Sequence, residues 1–371
     1  MTEPFDFLVR RDDFSKTAVN GASAPGEVDL SDGQVLLAID SFSLTANNVT
    51  YAAMGEAMNY WDFFPADEGW GRVPAWGYAD VLTSRADGVA EGRRIYGYLP
   101  MSSHLVVEPG QVSESGFVDA GAHRAALPGV YNRYGFVTAE GPDARQRENF
   151  NSLFAPLFGT SFLIEDWLQD EAFFGARRAI LSSASSKTAL ALAFLLQRDH
   201  PGEIELVGLT SANNSAFVAE TGYYDKVAMY ETLADLSRSV PCCYLDFSGS
   251  ANLRRRIHTH LGDSLVASTV IGAASWQELI PADGAGDLPG PRPGFFFAPD
   301  RVTKRNEDWG PSDLRRRIAE GQDAFVDSSR EWLTVREASG TTGLEATWQS
   351  VLSGGADPSE GWIVSLGSAS N

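Results

Sequence analysis

Between residues 179 and 196 the chain reads AILSSASSKTALALAFLL: an apolar run, a turn of small hydroxyl residues around Lys187, then an Ala/Leu-rich stretch with helical spacing. A strand that feeds a tight turn at a helix N-terminus can cradle a pyrophosphate, because the first amides of the helix point at the anion and the helix dipole favours negative charge. The usual spacing of such a turn is G-x-G-x-x-G. Here Ser183, Ser185 and Thr188 occupy the three glycine slots. Their small side chains still permit a tight turn, Ser185, Ser186 and Thr188 add hydroxyl donors, and Lys187 adds a positive charge. An ordinary strand-to-helix turn with a serine cap would use the same residues, and the residues alone leave both readings open.

The end of the following strand bears on which dinucleotide would fit. A carboxylate there bonds the ribose hydroxyls of NAD and repels the extra phosphate of NADP. This chain has Thr210-Ser211-Ala212-Asn213-Asn214, with no acid. Hydroxyls and amides accept a phosphate, so the expected cofactor is NADP(H) rather than NAD(H). Helix capping by the same residues, with no dinucleotide at all, is the remaining reading.

Other chemistries find less support. Cys242 and Cys243 are the only cysteines, adjacent in the apolar run VPCCYLDF, where strand neighbours point to opposite faces and do not bond. His258 and His260 alternate on a helical stretch and face apart, and no histidine has ligand spacing to the cysteines, so no metal is expected. No G-x-S-x-G elbow is present for a Ser-His-Asp triad. Carboxylate pairs such as Asp12-Asp13 and Glu165-Asp166 read as solvated.

The elements that must position these residues follow a change of rhythm. Residues 1 to about 165 read as short strands broken by Gly and Pro, with QVLLAIDSFSLT (34–45) the clearest, and fit a compact β barrel. From about 178 to 300, strands at 179–182, 205–209, 226–229, 242–247 and 265–271 alternate with helical patterns at 187–197, 212–221, 231–238 and 250–261. That alternation predicts a parallel sheet with crossover helices. A last apolar strand (294–298) and a charged helix (312–330) follow, and a strand-helix-strand tail (332–366) returns to the barrel. The expected division is a barrel of 1–165 with 305–371 returning to it, and a nucleotide-binding domain of 166–304. PDARQRENFNSLF (142–154) reads as a polar insertion, either a lid or a surface helix.

A chain of 371 residues that is 43% hydrophobic has the length for two domains with cores of their own. Its net charge of −20, with no long basic block, disfavours nucleic acid and anionic membranes as partners. The N-terminus lacks a signal-peptide core and no window approaches the about 18 apolar residues of a membrane span, which makes the cytoplasm the expected compartment.

Four segments carry a family resemblance. SFSLTANNVTYAAMG (41–55) stands as a strand followed by an Asn-bearing loop, and VPAWGYADVLTSRADGVAEGRRIYGYLP (73–100) as a Gly-rich hairpin. ETGYYDKVAMY (220–230) and CCYLDFSG (242–249) stand as two later strands of the nucleotide fold, the second ending D-x-x-G. With the barrel, the doubly wound domain and the C-terminal return, they resemble the medium-chain dehydrogenase/reductase superfamily. The match is to its zinc-free, quinone-oxidoreductase-like side, on a bacterial branch described as a domain of unknown function. The resemblance implies an α/β fold: a GroES-like β barrel plus a doubly wound parallel-sheet (Rossmann) nucleotide-binding domain.

The resemblance also assigns residues. It places Ser248, Gly249, Ile271, Gly272, Phe296 and Phe297 on the nicotinamide side, Tyr230 on the adenine side, and Asn214 near the position where NADP-dependent relatives carry Lys. On the barrel side it offers Asn48, Tyr51, Tyr60, Trp61, Tyr131 and Tyr134, and the aromatic runs at 58–64 and 131–136 suggest a ring-lined pocket for a hydrophobic or aromatic small molecule. Hydride addition to an enone needs a polarised carbonyl oxygen and a later proton. An Asn48 amide or a Tyr51 hydroxyl can do the first, and Tyr51 can do both. Core packing is the competing reading for Tyr51 and Trp61. The chain has Asn47-Asn48 and Trp76-Gly77-Tyr78 near where zinc-dependent members carry Cys and Gly-His-Glu, and it lacks their four-cysteine lobe. The implied activity is therefore a zinc-independent, NADPH-dependent reduction of an activated C=C or C=O. The alternative is a non-redox isomerase or lyase, or a small-molecule-binding protein, on the same scaffold. Relatives pair their last strands across a dimer, and GFFFA (294–298) would serve that purpose in a homodimer.

Overall fold

In a computed structural model, which describes residues 3–138, 141–271 and 288–367, the Gly- and Pro-rich first part of the chain forms ten short strands. They are β1 (Phe5–Arg10), β2 (Thr17–Gly21), β3 (Val35–Leu44), β4 (Trp70–Gly71), β5 (Pro74–Ser84), β6 (Arg94–Pro100), β7 (His104–Val107), β8 (Pro109–Ser113), β9 (Gly116–Asp119) and β10 (Arg133–Phe136), with helix α1 (Ala46–Ala53) between β3 and β4. All ten residues of β3 are buried, its polar ones included. Asp40 is held by Arg94 at 2.7 Å, and the Ser43 hydroxyl donates to the Ser152 carbonyl at 2.8 Å. The ladders of β3 with β5 and of β5 with β6 are antiparallel.

Helix α2 (Ala144–Asp170) follows, and it absorbs the segment expected as a polar lid or surface helix. Pro156 lies inside it. Its missing N–H would leave the Ser152 carbonyl without a helical partner, and Ser43 supplies one.

The next strands are β11 (Arg178–Ser182), β12 (Glu205–Thr210), β13 (Lys226–Met229), β14 (Cys242–Asp246), β15 (Leu265–Val270) and β16 (Gly294–Phe295). Helices α3 (Lys187–Asp199), α4 (Ser215–Glu220) and α5 (Ala251–Leu261) lie between them, and α6 (Ala298–Asp308) and α7 (Pro311–Ser329) follow. Every pairing is parallel and the order is β13-β12-β11-β14-β15-β16. This is the doubly wound order expected, with its switch point between β11 and β14. Two expected elements are shorter. The strand at 294–298 stops at Phe295 because α6 starts at Ala298 with proline in its first turn. The helix at 231–238 is a 3-10 turn over Tyr230–Asp235.

The tail forms β17 (Thr334–Ser339), α8 (Gly340–Leu352) and β18 (Glu360–Ser365), and β18 pairs β3 antiparallel. Two compact units result, Met1–Leu153 with Val335–Asn371, and Phe154–Thr334. The first boundary thus falls inside α2, and residues 305–334, expected with the barrel, belong to the second unit. No helix among the described residues is long and apolar enough to cross a membrane.

Candidate functional site

In the second unit the loop between β11 and α3 is four residues long, 183–186. Ser186 caps α3, its hydroxyl accepting the Ala189 amide at 3.3 Å. Ser183 adopts φ 47°, the left-handed conformation that a glycine would take without strain. The fold brings two distant predicted residues onto this turn. Asn214 Nδ2 donates to Ser185 Oγ at 3.0 Å, and the Ser183 amide donates to the Tyr230 hydroxyl at 3.1 Å. Burial raises the Tyr230 pKa, against the pull of Ser183, so its hydroxyl is neutral. Thr210 ends β12 and is buried, while Ser211 leads into a 3-10 turn without a side-chain cap. Lys187 and Thr188 open α3. Hydroxyls, amides and one ammonium at the start of a 13-residue helix form a donor set that fits a phosphate, with no carboxylate along 183–188 or 210–214.

Beside this turn, at the switch point, the Asp of the D-x-x-G is a hydrogen-bond hub, a role that no residue type in the sequence announces. Asp246, fully buried at the end of β14, accepts from Ser182 Oγ at 3.1 Å, Ser248 N at 3.1 Å, Ser248 Oγ at 2.7 Å and Gly249 N at 3.0 Å. Arg254 Nε pairs its other oxygen at 2.9 Å. Asp246 thereby fixes Ser248 and Gly249 against β11, and its carbonyl accepts the Ile271 amide at 3.0 Å. Gly272 lies outside the described residues. Phe296 is buried against Trp167, ring centroids 5.4 Å apart, and Phe297 is half exposed.

In the first unit the residues of the expected ring-lined pocket form an aromatic cluster. Tyr51, Tyr60, Phe63, Phe64 and Tyr98 are buried together, with Trp76 and Tyr131 packed on them. Trp76 Nε1 donates to the Tyr51 hydroxyl at 3.1 Å, and the Tyr60 and Tyr131 hydroxyls bond each other at 3.1 Å. Burial pushes the Tyr51 hydroxyl well above the ordinary tyrosine range, with Trp76 opposing it, and it pushes Tyr60 and Tyr131 the same way.

Other predicted residues have different surroundings. Asn48 accepts the Thr45 amide at 2.8 Å and donates to the Pro74 carbonyl at 2.9 Å, so both ends of its amide hold backbone. Trp61 is wedged where Gly55 and Gly71 leave room; a Cβ at either would stand 2.0 or 2.4 Å from the indole. Tyr134 stacks on Phe117 and donates to the Tyr98 carbonyl at 2.7 Å. Trp76 and Tyr98 were not foreseen, although W-G-Y (76–78) and Y-G-Y (96–98) carry their signal. The strands pair Trp76 with Tyr98 and Gly77 with Gly97, which collects the rings on one face.

Among the described residues no three His, Cys, Asp or Glu side chains are grouped to hold a metal ion. Cys242 and Cys243 are both buried, free thiols in β14.

Residues 42–357 match the model of a family described as a protein of unknown function, DUF2855. The chain belongs to the DUF2855 family. A search of the curated proteins finds no match to this DUF2855 member. Solved structures do resemble it. CurA from Vibrio vulnificus, crystallised with NADPH, is 11% identical over 95% of this chain and 94% of its own, with a TM-score of 0.58. A putative NADPH:quinone reductase from Mesorhizobium loti is 13% identical over 99% of both chains, at 0.59. The quinone oxidoreductase from Coxiella burnetii is 12% identical over 98% of this chain and 99% of its own, at 0.53. The DUF2855 chain therefore has the medium-chain dehydrogenase/reductase fold, a GroES-like part and a Rossmann part, as the sequence resemblance implies.

Proposed function

We propose that this protein is a zinc-independent, NADPH-dependent reductase of an activated C=C or C=O in a hydrophobic or aromatic small molecule. The observation that carries the reading is the acid-free donor set on the second unit, in which Asn214, Ser185, Ser183 and Tyr230 converge on the N-terminus of α3. A carboxylate is what an NAD-preferring site would place there. The NADPH-bound relative of the same fold adds support. The dinucleotide, when bound, supplies a hydride.

The chain's own residues do the rest. Lys187 and the hydroxyls of Ser185, Ser186 and Thr188 receive the phosphates, while Thr210, Ser211 and Asn214 face the ribose side. Asp246 holds the Ser248-Gly249 loop for the nicotinamide end, with Ile271, Gly272, Phe296 and Phe297 assigned to the same end. In the barrel unit Tyr51 is the polarising and proton-delivering group. Trp76 occupies a lone pair of its oxygen, which leaves the hydroxyl hydrogen to be aimed at a carbonyl oxygen. Tyr60 and Tyr131 line the ring-rich surroundings, and Asn48 positions the Tyr51 helix through its bonds to the Thr45 and Pro74 backbone.

Consumption of NADPH against a panel of quinones and enones tests the activity. The reading expects NADPH oxidation by at least one class and slow or no turnover with NADH; no oxidation by any would favour the non-redox alternative, an isomerase, lyase or binding protein. That alternative draws its one support from the Ser183 amide, which already has the Tyr230 hydroxyl as partner. We also infer a homodimer joined through β16, because this edge strand leaves Phe295 71% exposed.

A further inference from the structure

The first glycine slot of the phosphate turn holds a residue that resists the conformation it has. Ser183 lies at φ 47°, which a residue with a Cβ adopts at a cost and glycine adopts freely. Two tyrosine hydroxyls grip the turn with opposite polarity. Tyr230 accepts the Ser183 amide at 3.1 Å, and Tyr224 donates to the Ala184 carbonyl at 3.0 Å. Backbone bonds close the rest: Ser186 N to Ser183 O at 2.8 Å, and Ala184 N to Leu209 O at 3.2 Å.

Both tyrosines flank β13, one before it and one after, and β12 stands between β13 and β11. Each side chain must therefore reach across a strand to the turn. Gly208 of β12 makes this possible for Tyr224, since a Cβ there would stand 3.0 Å from the Tyr224 ring and 3.1 Å from Ala184. Arg256 anchors the other arm by donating to the Tyr230 carbonyl at 2.5 Å.

We infer that Tyr230 and Tyr224 are positioning residues that replace the missing glycine: they hold Ser183 in the left-handed conformation and so keep the turn shaped for a phosphate. The consequence for binding rests on the cofactor reading above, whereas the clamp itself does not. A direct contact between Tyr230 and the ligand would make glycine at 183 irrelevant. A clamp acting through Ser183 makes glycine a substitute for it.

Four proteins decide the matter: wild type, Tyr230→Phe, Ser183→Gly and the double variant, each titrated with NADPH by nicotinamide fluorescence. Amide hydrogen exchange over 183–189 is followed in the same four proteins without ligand. Tyr230→Phe should weaken NADPH about tenfold, the effect of losing one hydrogen bond of ordinary net strength, and should speed exchange of the Ala184 and Ser186 amides. Made in the Ser183→Gly background, Tyr230→Phe should cost less than about twofold in affinity relative to Ser183→Gly alone and should leave its exchange rates unchanged. Tyr224→Phe should shift both readouts in the same direction as Tyr230→Phe. A loss from Tyr230→Phe in the Ser183→Gly background as large as that in wild type would overturn the inference and make Tyr230 a direct ligand contact. If wild type binds neither NADPH nor NADH the cofactor reading fails, and exchange alone then decides the clamp: unchanged rates in Tyr230→Phe overturn it.

Discussion

Burial keeps Tyr51 protonated far into the alkaline range, and Trp76 fixes where its oxygen points. Replacing Tyr51 with Phe should lower kcat of the proposed reduction by roughly 100-fold, the scale of general acid catalysis. It should leave NADPH affinity unchanged, since the phosphate donors belong to the second unit; an unchanged kcat would remove Tyr51 from the chemistry. The same burial sets a pH dependence of stability. Tyr51, Tyr60, Tyr98, Tyr131 and Tyr134 all have folded-state pKa values raised by burial. Above the ordinary tyrosine value of about 10 the unfolded chain releases protons that the folded chain keeps. Their contribution to stability is therefore complete below about pH 10 and lost as pH rises beyond it. Denaturant melts across that range should show the midpoint falling together with the rise of tyrosinate absorbance, and a flat midpoint would contradict it. Tyr60 and Tyr131 were legible as residue types in aromatic runs. Trp76 and Tyr98 were not, because which rings meet depends on the β5–β6 register, and a single sequence does not state register.

Arg94 binds β6 to β3, β5 and α2 through Asp40, Asp80 and Glu148, at 2.7, 3.1 and 2.6 Å. Asp40 is desolvated, yet Arg94 and Arg145 hold it below the usual carboxylate range. Removing the cation with Arg94→Leu leaves the buried Asp40 and Glu148 with Arg145 alone, which should cost about 3 kcal/mol, the low end for breaking a buried pair. Chemical denaturation would measure it, and a loss below about 1 kcal/mol, the value of an exposed pair, would contradict the burial argument. At the other sheet, Phe295 is the residue to change in testing the dimer, because Phe296 is buried against Trp167 and its loss would damage the fold instead. Phe295→Lys should shift sedimentation from dimer to monomer at micromolar concentration with little change in melting temperature; a wild-type protein already monomeric there would refute the dimer. The six parallel strands were readable because apolar strands and amphipathic helices alternate with distinct periods. Of the 27-residue α2 the polar first part was legible as a surface helix or a lid, but its continuation was not, since Pro156 imitates a helix end, and Ser43, over a hundred residues earlier, satisfies the carbonyl that the proline leaves open.

Over the whole chain the sequence carried fold class better than function. The parallel sheet followed from the strand-helix alternation, and its doubly wound order from the family resemblance. Cofactor choice was read from the acid-free segment 210–214, whereas the contacts around the turn were not legible, because Ser183, Asn214 and Tyr230 lie in three separate segments and meet only once β11, β12 and β13 are laid side by side. A chain with net charge −20 must draw a polyanionic cofactor by local donors rather than by its overall field. On the proposed function the serine turn still receives a dinucleotide and prefers the one with the extra phosphate. Titration of the 371-residue protein with NADPH and with NADH, followed by nicotinamide fluorescence, is the measurement that decides it. Saturable binding of NADPH at least about tenfold tighter than NADH, a difference of about 1.4 kcal/mol, is the predicted result, and no binding of either at millimolar concentration would contradict it.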